Sequence, residues 1–241
     1  MGPNATWDRY SNAGFDTSTK ASRDMGMGRI RIGVNWKEIE PVQGQRNWDA
    51  LDARIASSLE QGLEPLLLIQ TVPDWVYIPT GPGINPQVEQ TAERFGEFSA
   101  AVADRYKYVA DSYEIWNEPN INRFWPVPNP EQYMLLLKSA YTKIHAVQPD
   151  ATVISGGMAP AADNGNISQA PFTFLKGIYQ YGLKDYSDAI AHHPYTYPET
   201  PDGTSNWNSF RIMDDMRDYM VAQGDSEKQI WFTEFGAPTG G

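Results

Sequence analysis

Two glutamates stand where this sequence can do chemistry. Glu118 lies in Ile115-Trp116-Asn117-Glu118-Pro119-Asn120, at the end of the apolar run Ser112–Trp116. Glu234 lies in Trp231-Phe232-Thr233-Glu234-Phe235-Gly236, at the end of the run Gln229–Thr233. Each run reads as a strand, so each carboxylate is expected at a strand's C-terminal tip. Placing a carboxylate beside Trp116, Trp231 and Phe235 is costly unless it is used or paired. Pro119 disfavours the α region for Glu118 and is expected to keep it extended. Two such carboxylates, with no cysteine and no spaced cluster of metal ligands, suit cleavage of a glycosidic bond. One would act as acid/base and the other as nucleophile. A separation of about 5–5.5 Å gives retention of configuration and about 6.5–9.5 Å inversion. Asn117 and Glu118 are consecutive, and an ideal strand points neighbours to opposite faces. An irregularity is therefore predicted at Trp116–Glu118.

The elements that must position these groups alternate along the chain. Strands are predicted at Arg29–Val34, Pro65–Gln70, Ser112–Trp116, Thr152–Ser155, Ala189–His192 and Gln229–Thr233. Most are nearly continuous apolar runs, as in parallel strands buried on both faces. Helices fill the gaps. One is capped by Asn47, carries Trp48, Leu51, Ile55 and Leu59 on one face, and ends at Gly62. A second carries Val88, Ala92, Phe95, Val102 and Tyr106. A third opens with Asn129-Pro130-Glu131-Gln132, a cap followed by proline and a capping-box glutamine, and presents Tyr133, Leu137, Ala140, Ile144 and Val147. Further helices are predicted over Phe172–Tyr181 and Trp207–Ala222.

Strands alternating with helices indicate a parallel α/β fold. The even repeat, without a glycine-rich phosphate turn after the first strand, favours a (β/α)₈ barrel over a doubly wound sheet. Six strands are read, and Thr6–Gly14 holds at most a poor additional one. Residues 1–241 are thus expected to form a single barrel domain, incomplete at its C-terminal end by at least a helix and a strand. Pro79–Pro86 and Ala159–Ala170 read as long loops after strands, on the face where barrels build their active sites.

Composition narrows the partners. A net charge of −11 argues against a nucleic-acid partner, which Lys and Arg would have to hold. Zero cysteines exclude disulfides, thiol nucleophiles and Cys-ligated metals. No apolar run is long enough to span a bilayer, and no leader-like segment opens at Met1. Compartment stays open, an extracellular location included, as does oligomeric state. His145, His192 and His193 lack metal-ligand spacing, so no metal or cofactor is expected. Of the adjacent pair, one histidine is expected in the core. Flat aromatic rings bury the C–H faces of sugars. Of the rim aromatics Trp36, Trp75, Tyr77, Phe124, Trp125, Tyr195, Tyr197 and Trp207, the preferred sugar contacts are Trp75 and Trp125. Trp7 and Trp48 read as structural.

The paired motifs around Glu118 and Glu234 resemble the signatures of glycoside hydrolase clan A. From about Arg29 to Glu234 the chain is most similar to family 39 and its bacterial relatives, with family 5 second. The resemblance implies a retaining glycosidase acting on a β-linked oligo- or polysaccharide. In it Glu118 is the acid/base and Glu234 the nucleophile. Asn117 would hydrogen-bond the sugar 2-hydroxyl. Arg31, in Arg29-Ile30-Arg31-Ile32, matches the second-strand arginine that keeps the nucleophile ionised. His193 and Tyr195, in His192-His193-Pro194-Tyr195, match the sixth-strand pair that orients the nucleophile and lines the sugar site. Two rivals stand beside this reading: a carbohydrate-binding or inactive barrel fragment without turnover, and a metal-dependent hydrolase using Glu118, His193 and Glu234.

Overall fold

The structure, a computed structural model, describes residues 4–5, 12–76, 86–205 and 209–238. The strands are β1 (Asn4–Ala5), β2 (Arg29–Asn35), β3 (Glu64–Gln70), β4 (Ser112–Asn117), β5 (Thr152–Gly157), β6 (Ala189–His192) and β7 (Gln229–Phe232). The helices are α1 (Asn12–Asp24), α2 (Trp36–Ile39), α3 (Asp49–Glu60), α4 (Pro86–Tyr106), α5 (Pro130–Val147), α6 (Pro171–Gln180) and α7 (Met213–Ala222). All six expected strands are present, within two residues at each end. They form one parallel sheet whose spatial order is the chain order, β1 to β7. A doubly wound sheet would reverse direction at a switch point. Unbroken order is that of a barrel. Among the described residues β7 pairs only with β6 and β1 only with β2, so the barrel is incomplete. A cavity of about 400 Å³ lies beside β7, lined by Arg29, Arg31, Leu66, Trp231 and Thr233 among others.

Strand alternation divides the core into two layers. Ile30, Ile32 and Val34 of β2 join Leu67, Ile69, Tyr113, Ile115 and Val153 in a large cluster with the helices. The opposite faces supply the barrel interior, where Leu66, Ile154, Ala189 and Ala191 meet half-buried Trp231. Arg29, Arg31 and Glu114 alternate with the helix-facing residues and therefore share that interior face.

The helices follow from their spacing. Val88, Ala92, Phe95, Val102 and Tyr106 of α4 are all buried, as are Tyr133, Leu137, Ala140 and Ile144 of α5. The Asn129 side chain accepts from the backbone N–H of Glu131 and Gln132, with Pro130 opening the helix. Asn47 Oδ1 accepts from the Asp49 N–H at 2.9 Å, one residue ahead of the Trp48 cap position. Gly62 ends the α3 region with φ +69°. Trp48 is half-buried, its ring stacked 5.8 Å from that of Phe98.

Three expectations need correction. Leu59 is 39% exposed, and Ser58 takes the buried position in the last turn of α3. The last helix begins at Met213, not Trp207. The segment Thr6–Gly14 falls partly outside the described residues; the added strand lies just before it, and its end belongs to α1. Helix α1 buries Phe15, Thr19 and Ser22, a helically spaced face that is mostly polar and so gives little hydrophobic signal. Thr19 and Ser22 are accommodated by donating to the carbonyls of Asp16 and Ser18. Tyr77, Trp207, Trp7 and most of the loop Pro79–Pro86 lie outside the described residues. No described helix is long and apolar enough to cross a membrane.

Candidate active site

The site is organised around Arg31, in the middle of β2 and only 3% exposed. Its Nε donates to Glu114 Oε2 at 2.6 Å and its Nη2 to Glu114 Oε1 at 2.9 Å. Nη2 also donates to Asn117 Oδ1 at 2.9 Å, and Nη1 to Glu234 Oε1 at 2.6 Å. One planar guanidinium thus fixes residues from the second, fourth and seventh strand regions. Burial works against its charge, yet Glu114 and then Glu234 offset that and hold its pKa above the ordinary arginine value. Glu114 is fully buried and also accepts from Gly157 N–H and from Thr233 Oγ1, each at 2.9 Å. Sequence reasoning missed Glu114 and Thr233. The signal for Glu114 was a carboxylate inside an otherwise buried strand, which has to be paired.

Glu234 is brought in by β7 and the strand-like continuation beyond it. Tyr195 and Gly236 form a parallel bridge, and Thr196 N–H donates to the Gly236 carbonyl at 3.1 Å. A Cβ on residue 236 would meet Tyr195 Cδ1 at 2.9 Å, so glycine permits the close approach. Tyr195 Oη then donates to Glu234 Oε2 at 2.8 Å. Burial, reinforced by Glu234, raises the Tyr195 pKa and keeps its hydroxyl a donor.

Glu118 follows a distorted strand end. Trp116 has φ +71° and Glu118 φ +46°, both left-handed. Glu118 is therefore not extended, as Pro119 alone suggested. Such conformations cost non-glycine residues about 1–3 kcal/mol each and persist where surroundings fix them. Here Trp116 Nε1 donates to the Phe124 carbonyl at 3.0 Å, and Glu118 N–H to the Gly157 carbonyl at 2.9 Å. The distortion lets the consecutive Asn117 and Glu118 both reach the site. Asn120, fully buried, donates to the carbonyls of Ala159 and Gln169 and accepts from Ala159 N–H. It clamps the loop after β5 onto the loop after β4.

Glu118 Oε1 lies 3.0 Å from His193 Nδ1. Burial pushes the Glu118 acid up to about 7 from 4.5, although Arg31 and Arg123 pull it down. Burial, with help from Arg31, lowers His193 to about 4, so its imidazole is neutral at pH 7. The ring fits only because residue 157 is glycine, where a Cβ would stand 2.1 Å from His193 Nε2. His193 thus faces Glu118, whereas Tyr195 contacts Glu234. Both histidines of the pair are fully buried, not one; His192 turns away from the carboxylates, with Nε2 3.0 Å from the Ser209 carbonyl.

The two tryptophans are not part of this cluster. Trp125 is 3% exposed, its ring edge-on to Trp116 and Tyr133. It is a core residue in this structure and offers no free face to a sugar. Trp75 is half-buried, donates to the Glu40 carbonyl at 2.9 Å and packs edge-on to Trp36, with Arg94 over its ring. Phe235, beside Glu234, is 55% exposed and so does not bury that carboxylate as its sequence position suggested.

One ligand atom each from Glu118, His193 and Glu234 lies within 4.8 Å of the others. That donor set suits a cation in composition. However, Arg31 already places a positive charge 2.6 Å from Glu234, and Tyr195 uses the other carboxylate oxygen.

Comparison with known proteins places the chain. The model of the family described as "Cellulase (glycosyl hydrolase family 5)" matches residues 2–240. A chloroplastic galactolipid galactosyltransferase of Arabidopsis thaliana is 25% identical over 134 residues, 48% of this chain and 21% of that protein. Among solved structures, a family 39 glycoside hydrolase from Bacteroides cellulosilyticus WH2 superposes with TM-score 0.71 and 23% identity, over 94% of this chain and 47% of that one. A monomeric β-xylosidase from Caulobacter crescentus CB15 gives TM-score 0.68 and 17% identity, over 96% of this chain and 50% of that one. The chain therefore spans about half the length of these solved chains. The clan A resemblance is met on both sides, by family 5 in sequence and by family 39 in structure.

Proposed function

Because the chain belongs to the cellulase family of glycosyl hydrolases, family 5, we propose that its barrel is the single catalytic domain of a retaining glycosidase. The substrate is a β-linked oligo- or polysaccharide, in keeping with the β-xylosidase among its structural relatives. Glu118 is the acid/base and Glu234 the nucleophile. The observation that carries this reading is the unlike treatment of two carboxylates whose nearest oxygens lie within 4.8 Å. Such close oxygens suit the retaining arrangement, whose carboxyl groups stand about 5–5.5 Å apart. Glu234 receives the Arg31 guanidinium and the Tyr195 hydroxyl. Glu118 sits against a neutral imidazole with its acid pushed up to about 7. Environments that separate two acids in this way assign the acid and the nucleophile.

In the first step a Glu234 oxygen attacks the anomeric carbon while the bond to the leaving oxygen breaks. Glu118 gives its proton to that oxygen. The Glu234 charge is then lost in the glycosyl ester, and the ionised Glu118 takes a proton from water as it attacks the same carbon. The ester breaks, Glu234 leaves as carboxylate, and Glu118 is protonated again. Asn117 has its Oδ1 committed to Arg31, leaving its amide nitrogen as donor to the sugar 2-hydroxyl. Tyr195 lines the sugar site, fully buried His193 backs Glu118 from beneath it, and half-buried Trp75 is a peripheral sugar contact. No metal or cofactor takes part.

The test is turnover of an aryl β-glycoside panel, with the product anomer followed by NMR. Retention, abolition of activity by Glu234→Gln, and a loss in Glu118→Gln that is larger for poor leaving groups are expected. Binding of oligosaccharides without turnover would instead favour the carbohydrate-binding rival. Activity lost in EDTA and restored by a divalent cation would favour the metal-dependent one.

A further inference from the structure

Thr233 contacts His193 at the ring nitrogen opposite the one that faces the proposed acid, and Glu114 contacts Thr233. Thr233 is 5% exposed, and both Glu114 and His193 are fully buried. Thr233 Oγ1 lies 2.9 Å from Glu114 Oε1 and 3.0 Å from His193 Nε2. On the other side of the ring, His193 Nδ1 lies 3.0 Å from Glu118 Oε1. These contacts form one chain: Glu114, Thr233, His193, Glu118.

A hydroxyl has one proton to give. Glu114, bound by two nitrogens of Arg31 and by Gly157 N–H, is a carboxylate acceptor. If Thr233 gave its proton to His193 instead, two acceptor oxygens would face each other at 2.9 Å with no proton between them. A hydrogen bond to a carboxylate is also stronger than one to a neutral partner. The Thr233 proton therefore goes to Glu114, and Thr233 Oγ1 accepts from His193 Nε2–H. A neutral imidazole then has a bare Nδ1, which accepts a hydrogen bond from the Glu118 O–H and cannot donate one.

We propose that Glu114 and Thr233 are positioning residues that lock His193 as the Nε2–H tautomer, so that Glu118 is held as a protonated acid with its O–H directed at Nδ1. The proposal rests on the assignment of Glu118 as acid/base. It gives the fully buried His193 a purpose, since the opposite tautomer would donate to Glu118 and favour its ionised form. The groups acting on this pair come from every neighbouring element. Arg31 stands on β2, Glu114 on β4, Arg123 on the following loop, His192 and Tyr195 at β6, and Glu234 after β7. Burial and the nearby Arg31 keep His193 neutral, which is the condition for its tautomer to matter.

Thr233→Val removes the hydroxyl with little change of shape, and Thr233→Ser retains it. The chain has three histidines, so ¹⁵N labelling of imidazole resolves each ring. In the wild type the His193 proton is expected on Nε2. In Thr233→Val it is expected to move to Nδ1, and in Thr233→Ser to stay on Nε2. The basic limb of the kcat/KM profile should fall by about one to two pH units in Thr233→Val, as the carboxylate gains a charge-assisted hydrogen bond, and return in Thr233→Ser. A wild-type ring protonated on Nδ1, or a Thr233→Val protein with wild-type tautomer and pH profile, would overturn the proposal. If the wild type turns over no glycoside, the glycosidase reading fails, and the tautomer signal alone decides the relay.

Discussion

Replacing the proposed acid should stabilise the protein, and only at neutral and alkaline pH. Glu118 is 13% exposed in its side chain and has its pKa raised by burial from 4.5 to about 7. The sign follows from proton counting. Below pH 4.5 the acid is protonated in both folded and unfolded chains and contributes no difference. Between 4.5 and about 7 the folded protein keeps a proton that the unfolded chain has released, so stability falls as pH rises. Above about 7 the full difference is present, about 3 kcal/mol. Glu118→Gln removes this titration, and its amide can still donate to His193 Nδ1. Urea unfolding of the two proteins should therefore agree at pH 4 and differ by about 3 kcal/mol at pH 8, with the variant more stable. For a chain of this size that corresponds to a rise in Tm of about 6–12 °C. His192 and His193, both lowered to about 4 by burial, lose stability in the opposite direction, as pH falls from 6.5 to 4. The His192 contribution is common to both proteins and cancels, and His193, 3.0 Å from Glu118, is neutral at pH 8 and does not enter the comparison there. A difference that does not grow with pH, or a variant less stable at pH 8, would refute the assignment of Glu118 as a desolvated acid.

Other outcomes follow from packing and pairing. Arg31→Met leaves Glu114 and Glu234 without their shared cation; a loss of about 3–5 kcal/mol in urea unfolding is expected, partly recovered by adding Glu114→Gln. Asn129→Ala removes a side chain that caps two backbone N–H groups of α5 and should cost about 1 kcal/mol by thermal unfolding. Leu137→Ala, at a fully buried position, should cost about 2–5 kcal/mol, whereas Leu59→Ala, at an exposed one, should stay within about 0.5 kcal/mol.

Much of this protein was legible before any coordinates. Continuous apolar runs identify buried parallel strands because such strands have no polar face to display. Their alternation with helices leaves few topologies. The two glutamates were legible for a related reason, since a carboxylate closing an apolar run must be paired or used. The consecutive Asn117 and Glu118 announced a break in the strand because a regular strand cannot aim both inward. Helix α1 escaped because its buried face of Phe15, Thr19 and Ser22 satisfies hydroxyls locally and carries little hydrophobic signal. Trp125 was misread because an aromatic near a strand tip has the same composition whether it faces a sugar or another ring.

Tertiary structure alone decided how the charges are shared. Arg31, Glu114, Asn117 and Glu234 come from three separate regions of the chain. Which carboxylate receives a cation and which faces a neutral imidazole depends on distances that no local pattern encodes. The proton on His193 is set by Thr233, 40 residues along the chain, through a hydroxyl whose proton is claimed by Glu114. The sequence by itself determined which carboxylates are available for the proposed acid and nucleophile. Folding determined their inequality, because burial and pairing act across strands rather than along them.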